Sequence, residues 1–62
     1  SIIEIEPKAL KIRTVLENNE IDLWFPKFSI IKEYREELNF LQKFTIEKKL
    51  LSYKRDEALG TR

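Results

Sequence analysis

Three glutamates within a five-residue stretch are the densest set of groups that could perform acid–base chemistry. Glu33 and Glu37 lie four residues apart, which places them on one face of a helix, and Glu36 is adjacent. Paired carboxylates of this kind serve as general acids and bases. Because Lys32 and Arg35 lie among them, we interpret the cluster as a solvated helix surface.

Other catalytic groups are scarce. The chain of 62 residues contains 0 His, 0 Cys and 1 Gly. The commonest general base, the strongest nucleophile, the usual zinc ligands and a glycine-rich phosphate loop are therefore missing. We predict a protein that is not an enzyme, with no cofactor, no metal and no small-molecule substrate.

Four aromatic residues are the strongest candidates for a binding site: Trp24, Phe25, Phe40 and Phe44. Phe40 lies off the apolar face of the helix predicted for this region and Phe44 lies at its margin. Exposed aromatic residues are frequent anchors of protein interfaces. In a small domain such residues also fill the core, and both interpretations stay open here.

One basic face is predicted near the C-terminus. Lys48 and Arg55 lie seven residues apart, with Lys49 beside the first. This face could contact phosphate groups, but Asp56 and Glu57 interrupt it and the net charge is only +1. We favour a solvated surface over a nucleic-acid site.

The predicted fold is α+β and mostly helical. The pattern indicates a helix over 7–17, beginning at Pro7, and a short strand near 20–25 that ends before Pro26. Two further helices, 30–43 and 46–59, are predicted within 30–59 from their apolar spacing.

The ends of these elements carry their own signals. Ser29 and Thr45 are candidate N-caps and Gly60 a candidate C-cap. Residues 1 to 6 alternate as a short strand does. One bent helix over 30–59, or an all-α fold, remains an alternative because no Gly or Pro separates the last two helices.

The order of these predicted elements over residues 20–59 resembles that of the ribbon-helix-helix repressors. The resemblance implies a dimer in which paired strands enter the DNA major groove, with Asp22 and Trp24 directed at the DNA. An aspartate departs from that pattern because it repels phosphate and accepts hydrogen bonds only from cytosine.

Length and composition limit the remaining possibilities. Hydrophobic residues make up 42% and charged residues 37%, which is typical of one small folded domain over 1–62 with a heavily charged surface. The chain starts at Ser1 and has no Met, so we expect a piece excised from a longer protein. No stretch is predicted to span a membrane or act as a signal peptide, which favours the cytoplasm or another reducing compartment.

We therefore predict a protein–protein interaction module that docks on another protein or on a second copy of itself through an aromatic surface. A small chain without disulfides gains stability from such a partner. The alternative is a dimeric DNA-binding domain of the ribbon-helix-helix kind.

Overall fold

The computed structural model, which describes residues 1–60, shows a three-stranded antiparallel sheet followed by one helix within that range. The strands lie side by side in chain order. A 3-10 turn over Lys27–Ser29 leaves the sheet, and a long loop then leads to the helix. The elements are β1 (Ile2–Ile5), β2 (Ala9–Leu16), β3 (Asn19–Pro26) and α1 (Lys48–Leu59).

Strands β2 and β3 form a regular hairpin whose two faces differ in chemistry. On the core face Leu10 opposes Phe25 and Ile12 opposes Leu23. Residues one position away face the opposite side, because side chains alternate along a strand. That outer face is charged and includes the Arg13–Asp22 pair.

A two-residue turn closes this hairpin. Leu16 pairs with Asn19, and the two residues between them, Glu17 and Asn18, have φ angles of 49° and 66°. Positive φ at both positions defines the type I′ turn, whose twist matches that of antiparallel strands. The Asn19 side-chain amide also donates to the Glu17 carbonyl at 3.2 Å.

The buried core is small and lies on one side of the sheet. Its members come from all three strands and from the residue after the 3-10 turn. Partly buried side chains of the following loop and of α1 pack against them. The buried apolar residues are Ile2, Leu10, Ile12, Phe25 and Ile30.

Residues 31–45 form an extended loop, which we call the 31–45 loop. Its base is closed by a bridge between Ile30 and Ile46 and by a 2.9 Å hydrogen bond from the Ile31 amide to the Thr45 carbonyl. Farther along, the Asn39 amide donates to the Ile2 carbonyl at 2.8 Å. The loop therefore covers part of the free edge of β1.

Helix α1 is capped at both ends but buries none of its residues. The Glu47 carboxylate accepts hydrogen bonds from the Lys49 and Leu50 amides, so Glu47 is the N-cap. Gly60 ends the helix in the left-handed conformation, with φ of 72°. Leu50 packs against the core, and α1 is neither long nor apolar enough to cross a membrane.

The mostly helical prediction is wrong, and so is the all-α alternative. Most of the predicted helix 7–17 is instead strand β2, which spans Ala9–Leu16. Leu10, Ile12 and Thr14 alternate with charged or exposed residues, as in a half-buried strand. Because this segment pairs with β3 along its whole length, it forms a strand despite its weaker helical spacing. Asn18 does adopt left-handed geometry, but in a hairpin turn.

The predicted helix 30–43 is also wrong, because this stretch is the extended 31–45 loop. A single bent helix over 30–59 is excluded for the same reason. Long-range hydrogen bonds to β1 and across the loop base replaced the local helical ones. The short strands near 1–6 and 20–25, the last helix and the Gly60 cap are confirmed, whereas Glu47 takes the capping role predicted for Thr45.

Residues 61 and 62 of the predicted domain lie outside the described residues.

Candidate functional site

A groove of about 690 Å³, larger than the other cavities described among residues 1–60, lies where β2, β3, the end of the 31–45 loop and α1 converge. We call it the basic groove. Seven apolar residues form its floor, drawn from each of these elements. They are Ile12, Leu16, Leu23, Phe25, Phe44, Ile46 and Leu51.

One face of α1 forms a wall of this groove. Lys48, Leu51, Ser52 and Arg55 line it, and their spacing of three, four and seven residues places them on one side of a helix. Leu50 lies on a neighbouring face and contacts the core. Because α1 contacts the core through Leu50, the groove beside Leu51 stays open and Leu51 is 45% exposed.

The charged side chains that line the basic groove have one sign, whereas Glu17 and Asp56 lie beside Arg55 in a neighbouring cavity. Lys43, Lys48, Arg55 and Arg13 line it, and no acidic side chain of residues 1–60 does. Arg13 is engaged with Asp22 on the outer face of the sheet. The other three cations form no ion pair with any described residue, so their charge is directed at solvent.

The basic groove brings together four of the seven residues predicted from the sequence. Phe25 and Phe44 lie in its floor, and Lys48 and Arg55 lie at its rim. Phe25 is only 2% exposed, so it supports the floor from within the core. The Phe44 ring lies 5.9 Å from the Tyr34 ring, centroid to centroid.

The remaining predicted aromatic residues lie elsewhere. Trp24 is on the outer face of the sheet, with the Lys11 ammonium 5.7 Å from its ring centroid. Phe40 lies in the 31–45 loop, with the Arg35 guanidinium 4.6 Å from its ring centroid. Trp24, Phe40 and the groove residues therefore do not form one continuous aromatic surface.

A second apolar surface surrounds Phe28, a residue that sequence analysis did not select. Phe28 is 88% exposed and separates two shallow cavities of about 470 and 380 Å³. Trp24 and Pro26 line the first, while Leu50 and Lys49 line the second. Lys49 is thus separated from Lys48, although the two are adjacent in sequence.

The position of Phe28 in the sequence gave no periodic signal, because it lies in the 3-10 turn between a strand and a loop. Its exposure depends on where that turn leaves the sheet. Lys43 and Leu51 of the basic groove were missed for a similar reason, since only the tertiary structure places them beside β2 and β3.

The outer face of the sheet carries the best-defined ion pair. The Arg13 guanidinium donates to both Asp22 carboxylate oxygens, with Nε–Oδ1 at 3.0 Å and Nη2–Oδ2 at 3.3 Å. This hydrogen bonding lowers the pKa of Asp22 and raises the pKa of Arg13. Attraction between the opposite charges also lowers the pKa of Asp22 and raises the pKa of Arg13.

Metal binding finds no support among residues 1–60, where no group of three carboxylate, His or Cys side chains lies close enough to hold an ion. No protein-family model, curated protein or solved structure matches this chain.

Proposed function

We propose that the protein is a non-enzymatic interaction module whose basic groove binds an acidic, amphipathic segment of another protein. The observation that carries the proposal is the union, in one groove, of a seven-residue apolar floor with cations of a single sign. The floor supplies the area to be buried and the cations select the charge of the partner.

The dimensions of the basic groove match a short helical segment. Lys48 and Arg55 mark its length along α1, and seven residues of helix span about 10 Å. Two turns of a partner helix, with apolar residues at i, i+3, i+4 and i+7, cover the same distance. Such a helix packs its apolar stripe on Leu23, Phe44 and Leu51, with carboxylates toward the rim.

The exposed side of α1 supports the same proposal. No residue of α1 is fully buried, and Leu50 is the helix residue that packs against the core, so much of the helix surface is left without tertiary packing. A partner helix in the basic groove covers Leu51 and gives α1 a second packing surface. Binding therefore stabilises the second half of the chain as well as the complex.

The test is titration of the full chain with a synthetic 12-residue helical peptide that carries leucines at i, i+3, i+4 and i+7 and glutamates on both flanks. Nuclear magnetic resonance maps the site, and we expect shifted amide signals at Leu23, Phe44 and Leu51. Affinity should fall as salt concentration rises, because exposed charges are screened.

Two neighbouring lysines provide matched variants. Lys48→Glu reverses a charge at the rim of the basic groove, whereas Lys49→Glu makes the same change on the Phe28 side of α1. We expect Lys48→Glu to weaken peptide binding by about tenfold and Lys49→Glu by less than about twofold. Equal loss of peptide affinity in the two variants, or no binding of the peptide by the unsubstituted protein, would rule out the basic groove as the site.

The DNA-binding alternative receives less support. The strand–helix–helix order that motivated it does not occur in residues 1–60, where the strands precede one helix. A duplex oligonucleotide added to the same titration provides the comparison. Displacement of the acidic peptide by DNA at moderate salt would favour a nucleic-acid partner for the basic groove.

Self-association and a reducing intracellular location stay predictions. Sedimentation of the free chain over a wide concentration range measures the first directly. A monomer directs the search to another protein, whereas a dimer makes a second copy the partner.

A further inference from the structure

The free edge of β3 is a second feature that a partner could use. Hydrogen-bonded and non-hydrogen-bonded pairs alternate along an antiparallel ladder. The Lys27 amide donates to the Lys8 carbonyl at 2.8 Å, which sets the phase of that alternation. It follows that the backbone N–H and C=O groups of Glu20, Asp22 and Trp24 point away from β2.

Nothing in residues 1–60 pairs with this edge, because β3 is the last strand of the sheet. The opposite edge is protected. β1 has four residues, contains a bulge between Ile2 and Glu4, and is partly covered where Asn39 donates to Ile2. β3 has eight residues in unbroken register with β2 and contains no bulge. Pro26 at its end and the charges of Glu20 and Asp22 limit which strands can pair with this edge.

We propose that the edge of β3 pairs with an extended segment of another protein in which basic and apolar residues alternate. The basic positions follow from the outer face, where charge changes sign from strand to strand. Glu4 of β1 pairs with Lys11 of β2 at 3.5 Å, and Arg13 of β2 pairs with Asp22 of β3. A fourth strand that continues this alternation carries Lys or Arg opposite Glu20 and Asp22, the acidic residues of the β3 edge.

The apolar positions follow from the core face. Ile21 and Leu23 of β3 are half-buried and lie on that face. Residues of an added strand that oppose them extend the apolar side of the sheet, because opposite side chains of paired strands are in contact. The required pattern is therefore basic on one face and apolar on the other.

The same charges disfavour pairing with a second copy of this chain in the registers that bring the acidic residues together. In an antiparallel pair of two β3 strands centred on Ile21 or Asp22, acidic residues oppose acidic residues across the interface. Like charges directly opposite each other destabilise paired strands. A basic partner removes that repulsion.

The test uses the full chain and an acetylated peptide with five Lys-Val repeats. Trp24 is the only Trp and lies in the edge row, so its fluorescence reports pairing. We expect an emission change on titration and slower hydrogen exchange at the Glu20, Asp22 and Trp24 amides in the complex.

Two glutamates separate edge pairing from general attraction to a basic peptide. Glu20→Lys reverses a charge in the edge row, while Glu6→Lys makes the same change between β1 and β2. We expect Glu20→Lys to weaken binding about fivefold and Glu6→Lys to leave it within about twofold.

A backbone change tests pairing itself. The chain made by chemical synthesis with an N-methyl group on the Asp22 amide keeps every side chain but loses one outward donor. We expect it to bind the peptide at least about tenfold more weakly.

Unchanged affinity, equal effects of the two charge reversals, or a peptide-induced shift confined to the basic groove would overturn the proposal. A dimer of the free chain that N-methylation dissociates would overturn the choice of partner. The acidic and basic probes differ in charge, so this proposal and that for the basic groove fail separately.

Discussion

Residues 1–30 and residues 31–60 contribute to the molecule in different ways. The five buried apolar residues all lie in the first half, which contains the whole sheet. In the second half no residue is buried, although Tyr34, Phe44, Ile46 and Leu50 pack against the core. The first half therefore holds the fold and the second half covers one side of it.

Exposed large apolar residues occur in both halves but are more frequent in the second, which holds five of the eight among residues 1–60. Ile31, Leu41, Leu51 and Tyr53 of the second half are each more than two-fifths exposed. Single exposed apolar residues are ordinary on protein surfaces. Here they accompany an open groove, which links incomplete coverage of the sheet to a capacity for binding.

The sharpest contrast between the halves is the response to truncation of a large side chain. Phe25→Ala removes a fully buried ring and should lower the free energy of unfolding by about 3–5 kcal/mol. Leu41→Ala, at a residue that is 88% exposed, should change it by less than about 0.5 kcal/mol. Urea unfolding followed by circular dichroism measures both. Similar losses in the two variants would show that stability is shared by the two halves.

A smaller effect is expected at the hairpin turn of the first half. Glu17 adopts φ of 49°, a left-handed conformation that costs a non-glycine residue about 1–2 kcal/mol. Asn tolerates this conformation better and is preferred there in type I′ turns. Glu17→Asn should therefore stabilise the protein by about 0.5–1 kcal/mol, as measured by urea unfolding.

The control for the turn is Glu6→Asn, which makes the same chemical change at an exposed residue that does not have positive φ. An equal gain in that variant would assign the effect to charge and not to turn geometry.

The smallest expected effect is a pH dependence from the Arg13–Asp22 pair. The pKa of Asp22 is lower in the folded protein than in the unfolded chain, because Arg13 hydrogen-bonds the carboxylate. The unfolded state thus binds the proton first as the pH falls. The stabilisation is complete above the unfolded pKa and is lost as the pH falls through the folded pKa.

Asp22→Asn should remove this part of the acid dependence and leave the neutral-pH fold intact. Unfolding midpoints measured from neutral to acidic pH provide the check, with Glu20→Gln as a control because Glu20 has no ion pair among residues 1–60. Identical pH profiles for wild-type protein and Asp22→Asn would show that the pair does not contribute.

The sequence predicted the elements whose signals are local. Gly60 at a helix end and the strand near 20–25 need only the residues beside them. The 9–16 stretch was harder, because Ala9, Ile12 and Leu16 fit a helix while Leu10, Ile12 and Thr14 fit a strand. Short apolar patterns are ambiguous in this way until pairing decides.

The 31–45 loop shows the limit of such patterns most clearly. Ile31, Leu38 and Leu41 have the spacing of a helix face, yet all three are exposed in an extended loop. Its conformation depends on bonds to β1 and across its base, which local spacing does not encode. The basic groove was unpredictable for the same reason, since it joins Phe25 to Arg55 across the whole chain.

Amide hydrogen exchange of the free protein tests the division between the two halves most directly. We expect the slowest exchange at the hairpin amides that bond between β2 and β3, namely Leu10, Ile12, Leu23 and Phe25, and much faster exchange throughout α1. Equal protection of α1 and the hairpin would contradict it, because the helix would then share the core's stability and not depend on a partner for its packing.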